Sequence, residues 1–156
     1  MLNILVTTGT TRFPELITSV STIASRSDYQ FVVQSPDIKT LVSQNSFSFG
    51  TVFDYSDNFQ KYIDEADIVI THAGAGTTYG LLESFDRPII IVPNFYRSDQ
   101  HQKEIAKYVE VNNFALVCWD LSKLGVLIEK CQKGYKKVDY KKVNFSKFSE
   151  ILGYIR

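Results

Sequence analysis

Short apolar blocks alternate along this chain with longer amphipathic stretches. The blocks at 2–7, 30–33, 49–53, 68–71, 89–92 and 114–117 have strand length. Several run as continuous Ile and Val with no polar alternation, which is the pattern of a strand covered on both faces of a parallel sheet. Between them lie segments of helix length, at about 13–25, 37–45, 57–65, 77–85, 100–111 and 121–131. Strand and helix in strict succession imply right-handed crossovers between parallel neighbours. The expected fold is α/β: a single Rossmann-like, doubly wound parallel sheet of about six strands with helices on both faces. The order 3-2-1-4-5-6 makes strands one and four neighbours across the switch point, where such sheets bind ligands.

Length and charge narrow the classes. A chain of 156 residues with 44% hydrophobic and 22% charged positions supports one packed domain. Its formal net charge is zero, so it carries no excess field for general nucleic-acid binding. The longest apolar stretches, such as 88–93, are far short of the ~20 residues that cross a bilayer. A strand begins directly at Leu2 without a basic segment or cleavage site, so no secretory signal is expected. Cys118 and Cys131 have neither CxxC spacing nor a histidine cluster and read as reduced cytosolic thiols, with no metal site expected. The neutral total conceals polarity. Residues 133–156 hold seven basic and two acidic side chains, net +5, and residues 1–132 carry the compensating −5. The chain therefore divides into a ligand-binding domain, 1–132, and a basic, aromatic C-terminal segment, 133–156. That segment is expected to be helical and either packs back on the domain or docks a partner or anionic membrane.

The candidate chemistry sits after strands one and four. Strand one ends in Thr7-Thr8-Gly9-Thr10-Thr11, and strand four in Thr71-His72-Ala73-Gly74-Ala75-Gly76-Thr77-Thr78. Small residues let backbone approach a ligand, and N–H groups opening a helix suit an anion such as a diphosphate. Tight strand-to-helix turns also use glycine, so each loop alone is equally a turn. The second loop is not GxGxxG, no acid follows strand five for an NAD ribose, and no P-loop is present. Asp64-Glu65-Ala66-Asp67 is a solvated turn without a Walker A partner. Glu83, on the helix after the second loop, is a candidate for ribose hydroxyls or a surface acid. After strand five, Asn94, Gln100, His101 and Gln102 offer hydrogen-bonding groups for a polyhydroxylated ring. Alternatively they belong to a helix start capped by Ser98 or Asp99.

Taken in order, Val6-Thr7-Thr8-Gly9-Thr10-Thr11-x-Phe13, then His72-Ala73-Gly74-Ala75-Gly76-Thr77 with Glu83, then Pro88-(x)4-Pro93-Asn94 and His101-Gln102-x-Glu104-Ile105-Ala106, resemble the C-terminal, donor-binding half of GT-B glycosyltransferases. More narrowly they resemble the stand-alone catalytic subunits of split UDP-sugar transferases, such as the dolichol-pathway N-acetylglucosaminyltransferase subunit and the PssE-type exopolysaccharide subunits. The resemblance covers about residues 2–118. It implies a UDP-sugar donor substrate, no other cofactor, no metal, and inverting transfer of a hexose to a lipid-linked acceptor at the cytoplasmic membrane face. Gly74, Gly76 and Thr77 would then meet the diphosphate and Glu83 the ribose. Gln100, His101 and Gln102 would meet the sugar or its phosphates, Thr10 and Thr11 would close the other wall, and Gly9, Ala75 and Asn94 would belong to the same UDP-sugar site. His72 would shape its loop or act as a base, and no compelling general base is visible. A membrane-associated partner subunit would bind the acceptor. Two other readings stay open: a non-catalytic, stabilising subunit of such a complex, and an unrelated nucleotide-using α/β enzyme. A uronate donor would call for a cation, and Arg97 is available.

Overall fold

The structure, a computed structural model, describes residues 1–38, 50–95 and 100–141. Its six strands are β1 (Asn3–Thr7), β2 (Gln30–Gln34), β3 (Thr51–Phe53), β4 (Ile68–His72), β5 (Ile89–Val92) and β6 (Leu116–Val117). They form one parallel sheet in the order β3-β2-β1-β4-β5-β6, as the alternation of blocks implies. The described helices are α1 (Pro14–Ala24), α2 (Phe59–Glu65), α3 (Ala75–Ser84), α4 (His101–Val111) and α5 (Leu124–Gln132). The helix expected over 37–45 lies outside the described residues from position 39 onward.

Successive side chains of a strand point to opposite faces, and both faces are filled. Ile4, Val6, Phe31, Val33, Ile68 and Ile70 pack with Leu16, Ile17 and Val20 of α1 and Leu124 and Ile128 of α5. Leu5, Val69, Ile89 and Ile91 pack with Leu81 and Leu82 of α3 and Ala106 and Val109 of α4, with α2 alongside. Burying an aliphatic side chain of this size stabilises by about 1.5–3 kcal/mol, so β4 and β5, buried at every position, anchor this side of the sheet. The register aligns the carboxyl ends that matter: Thr7 lies opposite Gln34 on one side and Thr71 on the other, and His72 lies opposite Val92.

Among the boundaries that differ from the sequence expectation, three have a visible local cause. Strand β6 begins at Leu116 rather than 114, because Phe114 N donates to Val109 O (3.0 Å) and closes α4 instead of entering the sheet. The segment expected as one helix over 121–131 opens with a 3₁₀ turn, Leu121–Lys123, where the Asp120 carboxylate accepts from Ser122 N (3.0 Å). The described part of the C-terminal segment, 133–141, forms a turn and then irregular backbone, not a helix. Val138 N donates to Asn113 O (2.8 Å), Tyr135 Oη donates to Asn113 Oδ1 (2.8 Å), and Tyr140 packs edge-on against Phe114. These contacts lay it across the domain, and its basic remainder, 142–156, lies outside the described residues. Burial raises the pKa of both free thiols, Cys118 and Cys131, to about 11. No helix among the described residues is long and apolar enough to cross a membrane.

Candidate functional site

Two helix starts face the switch point, and their chemistry differs. At α1 the place of an anion is already taken. Asp37, buried, accepts from Phe13 N (2.6 Å) and pairs with Arg12 Nε (2.8 Å). A carboxylate there satisfies an orphan helix donor and the positive end of the dipole. Thr8, also buried, turns the loop inward by bonding Ser35 Oγ (2.9 Å), and Thr11 N closes a turn on Thr8 O (3.0 Å).

At α3 the corresponding donors stay available. The helix starts at Ala75, two residues before the sequence expectation, with Gly74 at the cap position and no capping side chain. Its first helical bond is Thr78 N to Gly74 O (2.9 Å), so the N–H groups of Ala75, Gly76 and Thr77 precede the intrahelical ladder. Gly76 is exposed, and a Cβ added there would meet nothing within 4 Å. At Gly74 the opposite holds. A Cβ there would stand 2.4 Å from His72 Cε1, because the buried imidazole fills the space into which that Cβ would project. His72 thus shapes the loop.

The two glycine loops lie side by side. A Cβ on Gly9 would lie 3.4 Å from His72 Nε2 and 3.9 Å from Thr77 Oγ1. Gly9, Thr10 and Thr77 share a cavity of about 480 Å³ with Thr7, Gln34, Pro36, Asp54, Tyr55, Ser56 and Phe59. Gln34 is its most connected member. Its Oε1 accepts from Gly9 N (3.1 Å) and Thr7 Oγ1, and its Nε2 donates to Gly9 O (2.8 Å) and Asp54 O (2.8 Å). Sequence reading missed Gln34 and the wall from Asp54 to Phe59. The available signal was a polar residue ending an otherwise apolar strand.

The remaining expected residues divide. Asn94 is buried. Its Nδ2 donates to Arg12 O (3.1 Å), tying the β5 end to the β1 loop, and its N–H bonds Gln102 Oε1 (2.9 Å). Asn94 and Gln102 therefore brace the site from behind. Gln100 and His101 are exposed at the start of α4, with His101 Nδ1 3.6 Å from Glu104. Arg97 and the candidate caps Ser98 and Asp99 lie outside the described residues. Glu83 is not brought to the cavity. It is exposed on the α3 face that carries Tyr79, beside Tyr140, whose phenol is pushed up by burial, by Tyr108 and Tyr79, and by the Glu83 charge. The face of α3 turned toward α2 carries Gly76, Thr77, Gly80 and Ser84 instead.

Comparison with known proteins bears on the family and the fold. The family model described as the glycosyltransferase family 28 C-terminal domain matches residues 3–150. A UDP-N-acetylglucosamine transferase subunit, ALG13 of Homo sapiens, is 33% identical over 124 residues, covering 74% of this chain and 11% of the human protein. An NMR solution structure of ALG13 superposes with a TM-score of 0.58 at 20% identity, covering 97% of this chain and 94% of that one. The crystal structure of Acinetobacter baumannii MurG gives 0.64 at 18% identity, covering 88% of this chain and 49% of that one. The chain thus spans about a tenth of the human relative and about half of the MurG chain.

Proposed function

This chain belongs to the glycosyltransferase family 28 C-terminal domains, with the fold of the C-terminal half of GT-B enzymes, and from that premise we propose that it is the donor-binding, catalytic subunit of a two-chain inverting glycosyltransferase. Its donor is a UDP-sugar. It transfers a hexose to a lipid-linked acceptor in polysaccharide biosynthesis, at the cytoplasmic face of the membrane, together with a membrane-associated subunit that binds the acceptor. The observation that carries the reading is the closeness of the two loops: Gly9 beside His72 and Thr77, above an α3 N-terminus with donors still open.

The chemistry follows from that closeness. Cleavage of the sugar–phosphate bond builds negative charge on the departing diphosphate. Preorganised N–H groups of Ala75, Gly76 and Thr77, at the positive end of a helix, stabilise that charge most in the transition state. The cavity floored by Gln34 and walled by Asp54 to Phe59 adjoins this site and holds the nucleoside. Asp54, the acidic residue lining it, accepts the ribose hydroxyls, a role that the family resemblance implied for Glu83. Asp54→Ala should therefore weaken UDP binding about tenfold, the scale of a hydrogen bond to a charged group. Glu83→Ala should leave the affinity within about twofold. Calorimetric titration of both variants checks this, and the reverse ranking would return the ribose to Glu83.

His72 is packed against backbone, and the acceptor's general base is assigned to the partner chain, which meets the open carboxyl edge of the sheet. A ligand held at a hundred times its Kd stabilises by about 2.7 kcal/mol, a melting shift of about 5–10 °C for a chain of this length. That shift is expected with UDP and UDP-sugars and not with NAD or ATP. Preferential stabilisation by NAD or ATP would favour the unrelated-enzyme reading. UDP binding without transfer, even with the co-expressed partner, would favour the non-catalytic subunit.

A further inference from the structure

Gln34 does something that neither glycine loop does alone. It ends β2 opposite Thr7 of β1, on the same sheet face as the cavity. Its side chain is buried, and its amide is used at both ends. Oε1 accepts from Gly9 N (3.1 Å) and Thr7 Oγ1, while Nε2 donates to Gly9 O (2.8 Å) and to Asp54 O (2.8 Å). It meets Gly9 as a neighbouring strand would, through one N–H and one carbonyl. The same nitrogen then reaches the loop after β3. A primary amide is the side chain that offers an acceptor and two donors in one plane. A carboxylate has no donor, a hydroxyl has one, and an alkyl group has neither.

We infer that Gln34 is a positioning residue for donor binding. It holds the β1 loop and the β3 loop at a fixed separation, so that the diphosphate wall at Gly9 and the nucleoside wall at Asp54 fit one ligand together. This rests on the proposed donor site. The residue does not act on the reacting atoms, and its effect passes through the backbone of Gly9 and Asp54. The neutrality of the amide matters as well, since a carboxylate here would set a negative charge in the floor of a site built for an anion.

The test compares wild type with Gln34→Leu and Gln34→Glu. Leucine removes all four bonds at similar volume. Glutamate keeps the acceptor, loses both donations and adds charge. Circular dichroism and thermal melts establish that each variant is folded. UDP affinity is then measured by calorimetry at several UDP concentrations. Both variants are expected to bind UDP at least tenfold more weakly, with Gln34→Glu the weaker although it retains more of the wild-type bonds. A purely structural role would rank them the other way or lower stability with the affinity of the folded protein unchanged. In ¹⁵N-labelled wild type, the Gly9 amide should exchange slowly, and added UDP should shift the Gly9 amide and the Gln34 side-chain amide together. That measurement decides the matter if neither variant folds. Folded variants that bind UDP like wild type overturn the inference, and so does a Gly9 amide exchanging at the open-chain rate. A wild type that binds no UDP instead overturns the donor-site reading, with the Gly9 exchange rate still reporting on the clamp.

Discussion

Gly74→Ala is expected to reduce UDP affinity by more than a hundredfold and to destabilise the folded chain by about 2–3 kcal/mol, at the upper end of the overpacking cost. The added Cβ would stand 2.4 Å from His72 Cε1, 2.8 Å from Nε2 and 3.1 Å from Nδ1. These are atoms of a ring, not the end of a flexible side chain, and the ring is buried with Gly9 close on its Nε2 side. The imidazole cannot retreat without pressing on the β1 loop, so the backbone at 74 has to move and the first turn of α3 moves with it. Adding His72→Ala removes the ring and should restore much of the stability. The double-mutant cycle would then be strongly non-additive, as expected for residues in contact. Gly76→Ala is the matched control. Its methyl meets no atom within 4 Å, and alanine outranks glycine in a helix. That variant should melt no lower than wild type, yet bind UDP more weakly because the methyl stands in the space meant for the ligand. Urea denaturation and calorimetry measure both halves. A Gly74→Ala protein that binds UDP normally would show that the packing of His72 on this loop does not form the anion site.

Gly50→Ala is expected to cost more stability still, about 3–4 kcal/mol, combining left-handed backbone strain with overpacking. Gly50 has φ +77°, where a side chain is strained whatever the space. A Cβ there would also lie 2.1 Å from Phe31 O and 3.1 Å from Phe31 C. Phe31 is held in β2, opposite Ile4 of β1 and inside the core, so its carbonyl has nowhere to go. The chain would have to give at the entry to β3, whose three residues pair with β2 from Val32↔Thr51 to Gln34↔Phe53. Losing that pairing frees Asp54, the residue that Gln34 ties to the β1 loop. UDP affinity should therefore fall along with stability. Equilibrium denaturation gives the first quantity. A loss under about 1 kcal/mol, within the range of ordinary surface changes, would mean that β3 does not enter the sheet beside Phe31 as described.

These two expectations come from places that the sequence treats differently. The loop at Gly74 is legible from residue types alone, because glycines and threonines follow an apolar block at the point where strand order reverses. Gly50 carries no such signal, because its partner is a backbone oxygen 19 positions away in the chain that no pattern reveals. Glu83 shows the same limit. Its spacing from Gly74 placed it on the right helix, but the side of that helix that meets the cavity depends on whether α2 or α4 packs there. The side-chain amides of Asn94 and Gln102 offer hydrogen-bonding groups in the sequence, and in the fold they brace backbone.

The sequence by itself determined the strand-and-helix succession, the parallel sheet with both faces covered and the position of the two glycine loops at its switch point. Those features follow from local periodicity and from chirality, which short stretches of chain already carry. Only the tertiary structure decided that α1's start is occupied by Asp37 while α3's is open. It also decided that His72 packs on Gly74, that Gln34 joins two loops, and that Glu83 faces away. The Asp37 and Gln34 contacts join residues twenty or more positions apart, and the directions of His72 and Glu83 depend on what packs around their elements; that information exists only once the layers are packed against one another.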